Sequence, residues 1–575
     1  KVEDTKDVAA AELRNYLQQK QNTEILGFWK LQLGIYNTAS LDTAKWTSKN
    51  ARKIGEPPVI YSPDLTTRSM QQLKYAMQNR GYFHAEVDTT ILVKNRKLNL
   101  TYNVVANHPY HIRRYEISFP QEELQQVAEN RRATLVKEGM QFDSDVLNQE
   151  RQRVSKSMRN HGCFYFDEEF IRFVADSTKG KKQVDVKMCL QDFYYQLSPE
   201  EQEKIFRHYT ISRVHFHMDY EVDRIPEGAK LHTSIVDGYE FTWVGDKLLR
   251  EKVLIRNCPI RPGDEYNESF VDHAYSNLNR LAPVKYVDIS FDPISATELD
   301  CHVVISRSKL NSVSVELEGT YSAGDWGIAM GAGYANRNLF RGAEEFTLDG
   351  RASYEWRQNG GRAIEARAAM GLKFSNSIAI DLNYNYQNRP DEYARSIFNA
   401  GLQYQLRQHN LHLQHQFRIL DISYVYLPWI SDAFRDQFLQ STNILKYSYE
   451  NHFIVGWGYS GNYSSFNNRR PYRSYSNVSY NIETAGNLMY GLAEAFHFPT
   501  DEDGKYTLFN TRFAQFAKAD ISYTYHQILN ESHRLVFHTG LGVAVPYLNS
   551  QSIPFEKRYF SGGSNSVRGW TARTL

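Results

Sequence analysis

The chain has 575 residues, and its 67 Lys and Arg residues balance 66 Asp and Glu residues. This balance argues against the broad basic field of a nucleic-acid-binding protein, so we expect no nucleic-acid partner. No run of about 18 apolar residues is present, which excludes membrane-spanning helices. Aromatic residues reach 14%, with 39 Tyr and 31 Phe. Such a content suits a transmembrane β-barrel, in which aromatic side chains gather at the two membrane interfaces.

A module of helices followed by a strand hairpin recurs three times before residue 308, which predicts small α+β domains. In the first copy, Ser62 and Pro63 open a helix that runs through Met77, because Ser is a good N-cap and Pro fits the first helical turn. Gly81 ends this helix. The strands that follow are predicted at Tyr82–Val87 and Lys97–Val104.

The second and third copies repeat this order. In the second, a helix with apolar residues at Val146, Val154 and Met158 ends at Gly162. In the third, Pro262-Gly263-Asp264 leads into a helix through Leu281. The predicted hairpin strands are Cys163–Val174 with Val184–Leu190, and Val284–Phe291 with Leu299–Ile305.

After residue 308 the sequence alternates apolar and polar residues over segments of about ten residues, the length of a tilted strand that crosses a bilayer. In Phe346–Trp356 one face carries Phe346, Leu348, Tyr354 and Trp356, and the other face is polar. Ile378–Gln387 has the same pattern. About eleven such strands fall between Ser312 and Val545.

An open sheet of this size leaves unpaired backbone groups at both edges, which lipid does not tolerate. We therefore expect that further strands follow Leu575 and close the barrel. The fold class predicted for residues 1–575 is α+β domains followed by an antiparallel transmembrane β-barrel.

Three motifs carry a resemblance to a known family. Asn79-Arg80-Gly81-Tyr82-Phe83 and Asn160-His161-Gly162-Cys163-Phe164 resemble the end of the long helix in POTRA domains. The segment 560–570 (FSGGSNSVRGW) resembles the conserved loop of the Omp85 superfamily, and 336–344 (NRNLFRGAE) resembles the loop after its early barrel strands. The resemblance implies POTRA-like domains at 1–110 (with an N-terminal helix), 111–206 and 207–308, then a barrel from 309 to 575 that has sixteen strands when complete.

A subgroup resemblance rests on the N-terminal region. The stretch 17–27 (LQQKQNTEILG) followed by Ile35-Tyr36-Asn37 is similar to the Bacteroidetes TamA-like lipoproteins. This resemblance implies a lipidated Cys ahead of Lys1 and a TamB-like partner anchored in the inner membrane. It also implies the outer membrane of a Gram-negative bacterium, with the POTRA domains in the periplasm.

The resemblance also implies the candidate functional residues. The conserved-loop motif comprises Gly562, Gly563, Val567, Arg568, Gly569 and Trp570. In the family this loop folds into the barrel lumen, where a guanidinium needs carboxylates around it. The barrel seam lies in the first strand, at Ser312, Val313, Ser314, Val315 and Gly319.

These residues suggest a factor that inserts or translocates outer-membrane proteins, with unfolded clients and outer-membrane lipid as partners. Clients would add as strands to the POTRA sheet edges at Tyr82–Val87, Phe164–Val174 or Val284–Phe291. A two-partner polypeptide secretion pore is the alternative, although such a pore has fewer POTRA domains and a plug helix. A passive porin is a second alternative.

Enzyme and cofactor signals are weak. The glycines around Ser564 do not form the nucleophile motif of a hydrolase, and no phosphate-binding loop is present. His412 points away from His409 and His415 at strand spacing, so these residues would not converge on a metal. We expect no enzyme activity, cofactor or metal, and we expect the four cysteines to be buried thiols.

Overall fold

The computed structural model describes residues 2–3, 8, 10–23, 30–39, 46–95, 97–130, 132–178, 182–219, 230–322, 325–357, 360–374, 378–390, 392–407, 412–439, 451–466, 474–529 and 533–560. No helix among these residues has the length and apolar character needed to cross a membrane.

The first α+β unit has a three-stranded sheet in the order β1-β3-β2, with β1 parallel to β3. Its elements are β1 (Val2–Glu3), α1 (Ala10–Leu13), α2 (Leu31–Asn37), α3 (Trp46–Ile54), α4 (Pro63–Gln78), β2 (Glu86–Lys94) and β3 (Lys97–Val105). Leu73 and Met77 of α4 pack with Tyr82 and Val104 in its core. The predicted helix cap is confirmed, since the Ser62 side chain accepts from the Leu65 N–H.

The second unit has the sheet order β4-β6-β5, with β4 parallel to β6. Its elements are β4 (His111–Ile117), α5 (Glu122–Ala128), α6 (Ser144–Asn160), β5 (Ile171–Asp176), β6 (Gln183–Leu190) and α7 (Pro199–Phe206). Val154 and Met158 of α6, both predicted as apolar helix positions, are fully buried.

The third unit has a five-stranded sheet in the order β10-β11-β7-β9-β8. Its elements are β7 (Thr210–Met218), β8 (Leu231–Val236), β9 (Tyr239–Val244), α8 (Glu251–Asn257), α9 (Glu268–Asn279), β10 (Val284–Pro293) and β11 (Glu298–Arg307). The hairpin β10–β11 matches the predicted strands. The leading strand of each unit and the β8–β9 hairpin were missed, because they lie outside the repeated motif.

Two predicted strand starts were wrong. The strands begin at Glu86 and Ile171, several residues after Tyr82 and Cys163. Gly81 has φ +86° and Gly162 has φ +91°, so the chain reverses there in a conformation that favours glycine. The next residues then turn inward: Tyr82 is 1% exposed and Cys163 is fully buried. They fill the core between helix and sheet instead of joining the ladder.

The described residues between 311 and 546 form one large sheet in which eleven long antiparallel strands follow one another in space. This number agrees with the sequence prediction. The strands are β12 (Asn311–Ser322), β13 (Asp325–Asn336), β14 (Glu345–Trp356), β15 (Arg362–Lys373), β16 (Ile378–Arg389), β17 (Tyr393–Arg407), β18 (Leu413–Ile430), β19 (His452–Ser464), β20 (Tyr475–Ala485), β23 (Phe516–Ile528) and β24 (Arg534–Pro546). β12 and β24 are the two ends of this order.

The two faces of this sheet differ as the alternation predicts. One face exposes apolar side chains, including Leu348 at 49% and Trp356 at 49%. The opposite face carries polar and charged side chains such as Asp349 and Arg351. In a transmembrane barrel the apolar face contacts lipid and the polar face lines the lumen, so we name them the outer and inner faces.

The connections divide between two rims. The turn 337–344 lies at the proximal rim, next to the third unit: Asn338 Nδ2 donates to the Leu248 carbonyl at 2.6 Å, and Ala343 packs in that unit's core. At the distal rim, α10 (Asp432–Leu439) follows β18, and α11 (Asn487–Phe496) with β21 (Thr507–Leu508) and β22 (Thr511–Phe513) connects β20 to β23.

Candidate functional site

The loop motif predicted at Gly562, Gly563, Val567, Arg568, Gly569 and Trp570 lies outside the described residues. The segment that leads to it, residues 547–560, is described and crosses from the distal rim onto the inner face. A short 3-10 turn at Phe555–Lys557 presents two adjacent charged residues, Glu556 and Lys557, to the sheet.

Glu556 is held by two strands. Its Oε1 accepts from Arg395 Nη1 of β17 at 2.9 Å, and its Oε2 lies 3.1 Å from His452 Nε2 of β19. The three side chains are 18%, 12% and 9% exposed. A carboxylate this enclosed needs such partners, because an unpaired buried charge is costly.

Lys557 is held by two further strands. Its Nζ donates to Asp421 Oδ2 of β18 at 3.1 Å and to Glu483 Oε1 of β20 at 2.5 Å. Glu483 is 6% exposed and lies 3.6 Å from Arg418 as well. Two residues beyond Lys557, the Tyr559 hydroxyl donates to Asp520 Oδ1 of β23 at 2.6 Å.

The segment 555–559 is therefore tied to five neighbouring strands, β17 to β20 and β23, by side chains of the inner face. We call this cluster the inner-face network; it comprises Arg395, Arg418, Asp421, His452, Glu483, Asp520, Glu556, Lys557 and Tyr559. Sequence analysis missed it. The adjacent Glu556-Lys557 pair just before the loop motif was the one local signal, and its partners lie 74 to 161 positions away, beyond the reach of local patterns.

The predicted seam residues lie where expected, in the first strand of the large sheet. Val313 and Val315 are 76% and 68% exposed on the outer face. Ser312 and Ser314 lie on the inner face, by alternation. Among the described residues β12 pairs only with β13, and Gly319 lies opposite Ile328 in that ladder.

The β12–β13 ladder is regular. Twelve consecutive pairs run from Asn311 opposite Asn336 to Ser322 opposite Asp325 without a bulge. A Cβ at Gly327 would meet Thr320 Oγ1 at 2.4 Å, so this glycine allows close packing. β12 is thus paired along its length on the side of β13, and the predicted seam would use its opposite edge.

The three hairpin strands proposed for client binding all end their sheets. β2, β5 and β10 occupy terminal positions in the orders β1-β3-β2, β4-β6-β5 and β10-β11-β7-β9-β8. Large apolar side chains on them are exposed, including Leu92 at 63%, Val93 at 70% and Tyr286 at 54%. Each edge strand offers backbone N–H and C=O groups to an added strand.

The four cysteines are free thiols, and Cys163, Cys258 and Cys301 are buried. Burial raises the pKa of Cys258 to about 11. Within the described part of the chain, Glu123, Cys163 and His208 form the group with ligand atoms close enough to share a metal ion. His208 Nδ1 already lies 2.6 Å from Glu265 Oε1, and burial, then Glu123 and Glu265, raise the pKa of the Cys163 thiol to about 12, which disfavours the thiolate that binds metals.

Two family models match the chain. The model described as the Omp85 superfamily domain matches residues 345–575, and the model described as POTRA, surface antigen variable number repeat, matches residues 1–107. The chain belongs to the Omp85 superfamily. None of the curated proteins compared with it matches.

The chain is similar to several solved structures at low identity. BamA from Haemophilus ducreyi lacking POTRA domains 1–3 is 13% identical, with a TM-score of 0.43 over 81% of this chain and 76% of that chain. CdiB from Escherichia coli is 11% identical, with a TM-score of 0.40 over 89% and 81%. CdiB from Acinetobacter baumannii is 14% identical, with a TM-score of 0.38 over 81% and 73%. The family assignment rests on the two family models.

Membership of the Omp85 superfamily establishes the cellular location and the general role of the protein. The protein is a Gram-negative outer-membrane protein with POTRA domains in the periplasm, and it acts in outer-membrane protein insertion or secretion. Members of the superfamily are assembly or transport proteins without enzymatic activity. The proximal rim of the sheet therefore faces the periplasm, and the distal rim faces the cell exterior.

Proposed function

We propose that this protein inserts or assembles other outer-membrane proteins. In this proposal residues 1–110, 111–206 and 207–308 act as three POTRA domains that collect unfolded clients, and residues 309–575 contribute the barrel. The observation that carries the proposal is the position of β2, β5 and β10 at the ends of their sheets. An extended client can add to any of them through main-chain hydrogen bonds, with little dependence on sequence.

The exposed side chains on these strands favour unfolded barrel clients. Leu92 and Val93 on β2 and Tyr286 on β10 offer apolar and aromatic contacts beside the free backbone edge. Nascent barrel strands alternate apolar and polar residues. Because successive strand residues point to opposite faces, a client strand added to β2 would place its apolar row beside either Leu92 or Val93, and one added to β10 would place it beside Tyr286.

The edge of β12 that faces away from β13 is the proposed insertion seam. It would pair with the last strand of the complete barrel and open laterally to template a client hairpin. Insertion would need no nucleotide, because completing backbone hydrogen bonds and burying apolar surface in lipid drive the client's folding.

Arg568 is the proposed centre of the conserved loop in the lumen. The inner-face network supports this role, because it holds residues 555–559 against five strands just before the loop motif. The partners proposed for the guanidinium are carboxylates and aromatic groups on strands that follow Leu575. The loop would then stabilise the closed barrel through these contacts.

We also propose the finer subgroup assignment. A lipidated cysteine ahead of Lys1 and a TamB-like partner in the inner membrane follow from the similarity of residues 17–37 to TamA-like lipoproteins. Metabolic labelling of the host with a fatty-acid analogue, followed by isolation of the protein, tests the anchor. Label in the protein that disappears when the preceding cysteine is changed to serine supports the subgroup.

Depletion of the protein in its native host tests the proposed function. We expect selective loss of β-barrel proteins from the outer membrane by quantitative mass spectrometry, full rescue by the wild-type chain and poor rescue by Arg568→Ala. Arg435→Ala is the matched control, because Arg435 lies on α10 at the distal rim and is 53% exposed. Loss of a single secreted protein with an unchanged set of barrels would favour the two-partner secretion pore instead.

Site-specific photocrosslinking tests the client edge. A photoreactive amino acid at Tyr286 on β10, which is 54% exposed, should form adducts with newly exported barrel proteins. The same residue at Tyr275 on α9, which is 50% exposed, is the control. Equal adducts at both positions would show that accessibility, and not the strand edge, determines contact.

A further inference from the structure

The helix α11 at the distal rim has an exposed apolar face. Leu488, Leu492 and Phe496 recur every four residues and are 65%, 37% and 71% exposed. At 3.6 residues per turn they share one side of the helix. Glu494, the charged residue of α11, lies about 160° from Leu492 around the axis. This face is thus wide, uncharged and unpacked by the described residues.

The start of α11 is fixed to the outer face of the sheet. Asn487 Nδ2 donates to Thr484 Oγ1 at 2.8 Å, and the Tyr547 hydroxyl donates to Asn487 Oδ1 at 2.8 Å. Thr484 belongs to the outer face, because it follows Glu483 of the inner-face network and lies opposite Trp457 in the β19–β20 ladder. Trp457 itself is 54% exposed on that face.

The turn into α11 is held by a single tight position. Gly486 has φ +79°, a conformation that favours glycine. A Cβ there would lie 2.4 Å from the Ala514 carbonyl oxygen. The helix consequently leaves β20 in a fixed direction, with its first turn beside lipid-facing residues.

We infer that α11 is an interfacial helix whose apolar face is seated in the outer leaflet of the membrane. The occupant of this face is lipid acyl chain, because the face is continuous through Thr484 with the lipid-contacting surface that includes Ile482 and Trp457. A helix with one apolar face and a polar opposite face binds at the boundary between headgroups and chains. With no charge on the buried side, its seating depends on hydrocarbon contact and not on the charge of the headgroup.

The start of α11 is also linked to the segment that precedes the conserved-loop motif. Tyr547, which holds the start of α11, is the first residue after β24 and begins the segment that reaches Glu556 and Lys557. The segment after β24 therefore crosses the rim: it contacts the start of α11 on the outer face and joins the inner-face network on the other side. The inference stands independently of which client or cargo the protein handles.

Spin labelling of the full-length protein in lipid vesicles tests the inference. A nitroxide is attached at Leu492→Cys and, as the matched control on the polar side, at Glu494→Cys; Leu488→Cys serves as a second apolar position. Cys189→Ser removes the one native cysteine that is not buried. Oxygen, which concentrates in lipid, and a water-soluble nickel chelate are the two relaxing agents.

We expect oxygen to relax labels at 492 and 488 more than the chelate does, and the reverse order at 494, in both anionic and neutral vesicles. Chelate access at 492 equal to that at 494 would overturn the inference. Labels at 492 that neither agent reaches in native outer membranes, and that the chelate reaches in pure lipid, would assign the face to a protein partner and would also overturn it.

Discussion

Removal of the Lys557 charge tests whether the inner-face network holds the approach to the conserved loop. Lys557→Met keeps a similar side-chain length but leaves Glu483, which is 6% exposed, without its ammonium partner at 2.5 Å. Removing one member of a buried ion pair typically costs about 3–5 kcal/mol. We expect the lower end, about 3 kcal/mol, because Arg418 lies 3.6 Å from Glu483 and Asp421 is 27% exposed.

The measurement is denaturant-induced unfolding of the protein in lipid vesicles, followed by tryptophan fluorescence and by mobility of unheated samples in gels. Arg351→Met is the control, because it breaks a pair with Glu318 whose side chains are 48% and 43% exposed; such pairs contribute at most about 1 kcal/mol. The double variant Lys557→Met with Glu483→Gln should recover part of the loss, since the most buried charge is removed, while Asp421 and Arg418, each 27% exposed, still lose a partner. Equal losses for Lys557→Met and Arg351→Met would refute the reasoning.

Two further predictions concern the periplasmic units. Gly81→Ala should destabilise the joint between the first two units by more than about 2 kcal/mol, because alanine is strained at φ +86° and its Cβ would lie 2.7 Å from the Phe142 carbonyl oxygen. Gly139→Ala, at φ +85° with no atom within 4 Å, should cost only about 1 kcal/mol in thermal unfolding; equal costs would contradict the packing argument. Burial, with repulsion from His302 and His215, lowers the pKa of His217 from 6.5 to about 4, so the unfolded chain binds protons that the folded third unit excludes. The free energy of unfolding of this unit should fall by up to about 3 kcal/mol as the pH is lowered from 6.5 to about 4. His217→Gln should flatten this pH dependence in denaturant unfolding; an unchanged slope would contradict the prediction.

Local signals predicted the elements well. The Ser62 cap, the glycines at 81 and 162 and the period-two alternation of the large sheet each reflect a short-range physical requirement, and the structure has the predicted helices, turns and eleven strands. The strand starts predicted at Tyr82 and Cys163 were wrong because aromatic and small apolar residues that follow a turn are as common in a hydrophobic core as in a strand. Sequence alone did not separate these two roles.

Long-range contacts account for what sequence reasoning missed. The partners of Glu556 and Lys557 come from four strands and that of Tyr559 from a fifth, and strand register decides which side chains meet. The edge positions of β2, β5 and β10 depend on sheet order, which no local pattern reports. The rim helix α11 also escaped prediction; it begins directly after Gly486, where the chain turns out of β20.

Reconstitution gives the most direct test of the proposed insertion activity. The full-length protein is placed in vesicles, an unfolded outer-membrane barrel is added with a periplasmic chaperone, and its folding is followed by protease protection and by heat-dependent gel mobility. The account predicts faster client folding than in empty vesicles, with the acceleration reduced in Arg568→Ala. Client folding at the rate of empty vesicles, or client found inside the vesicles without insertion into the bilayer, would contradict it.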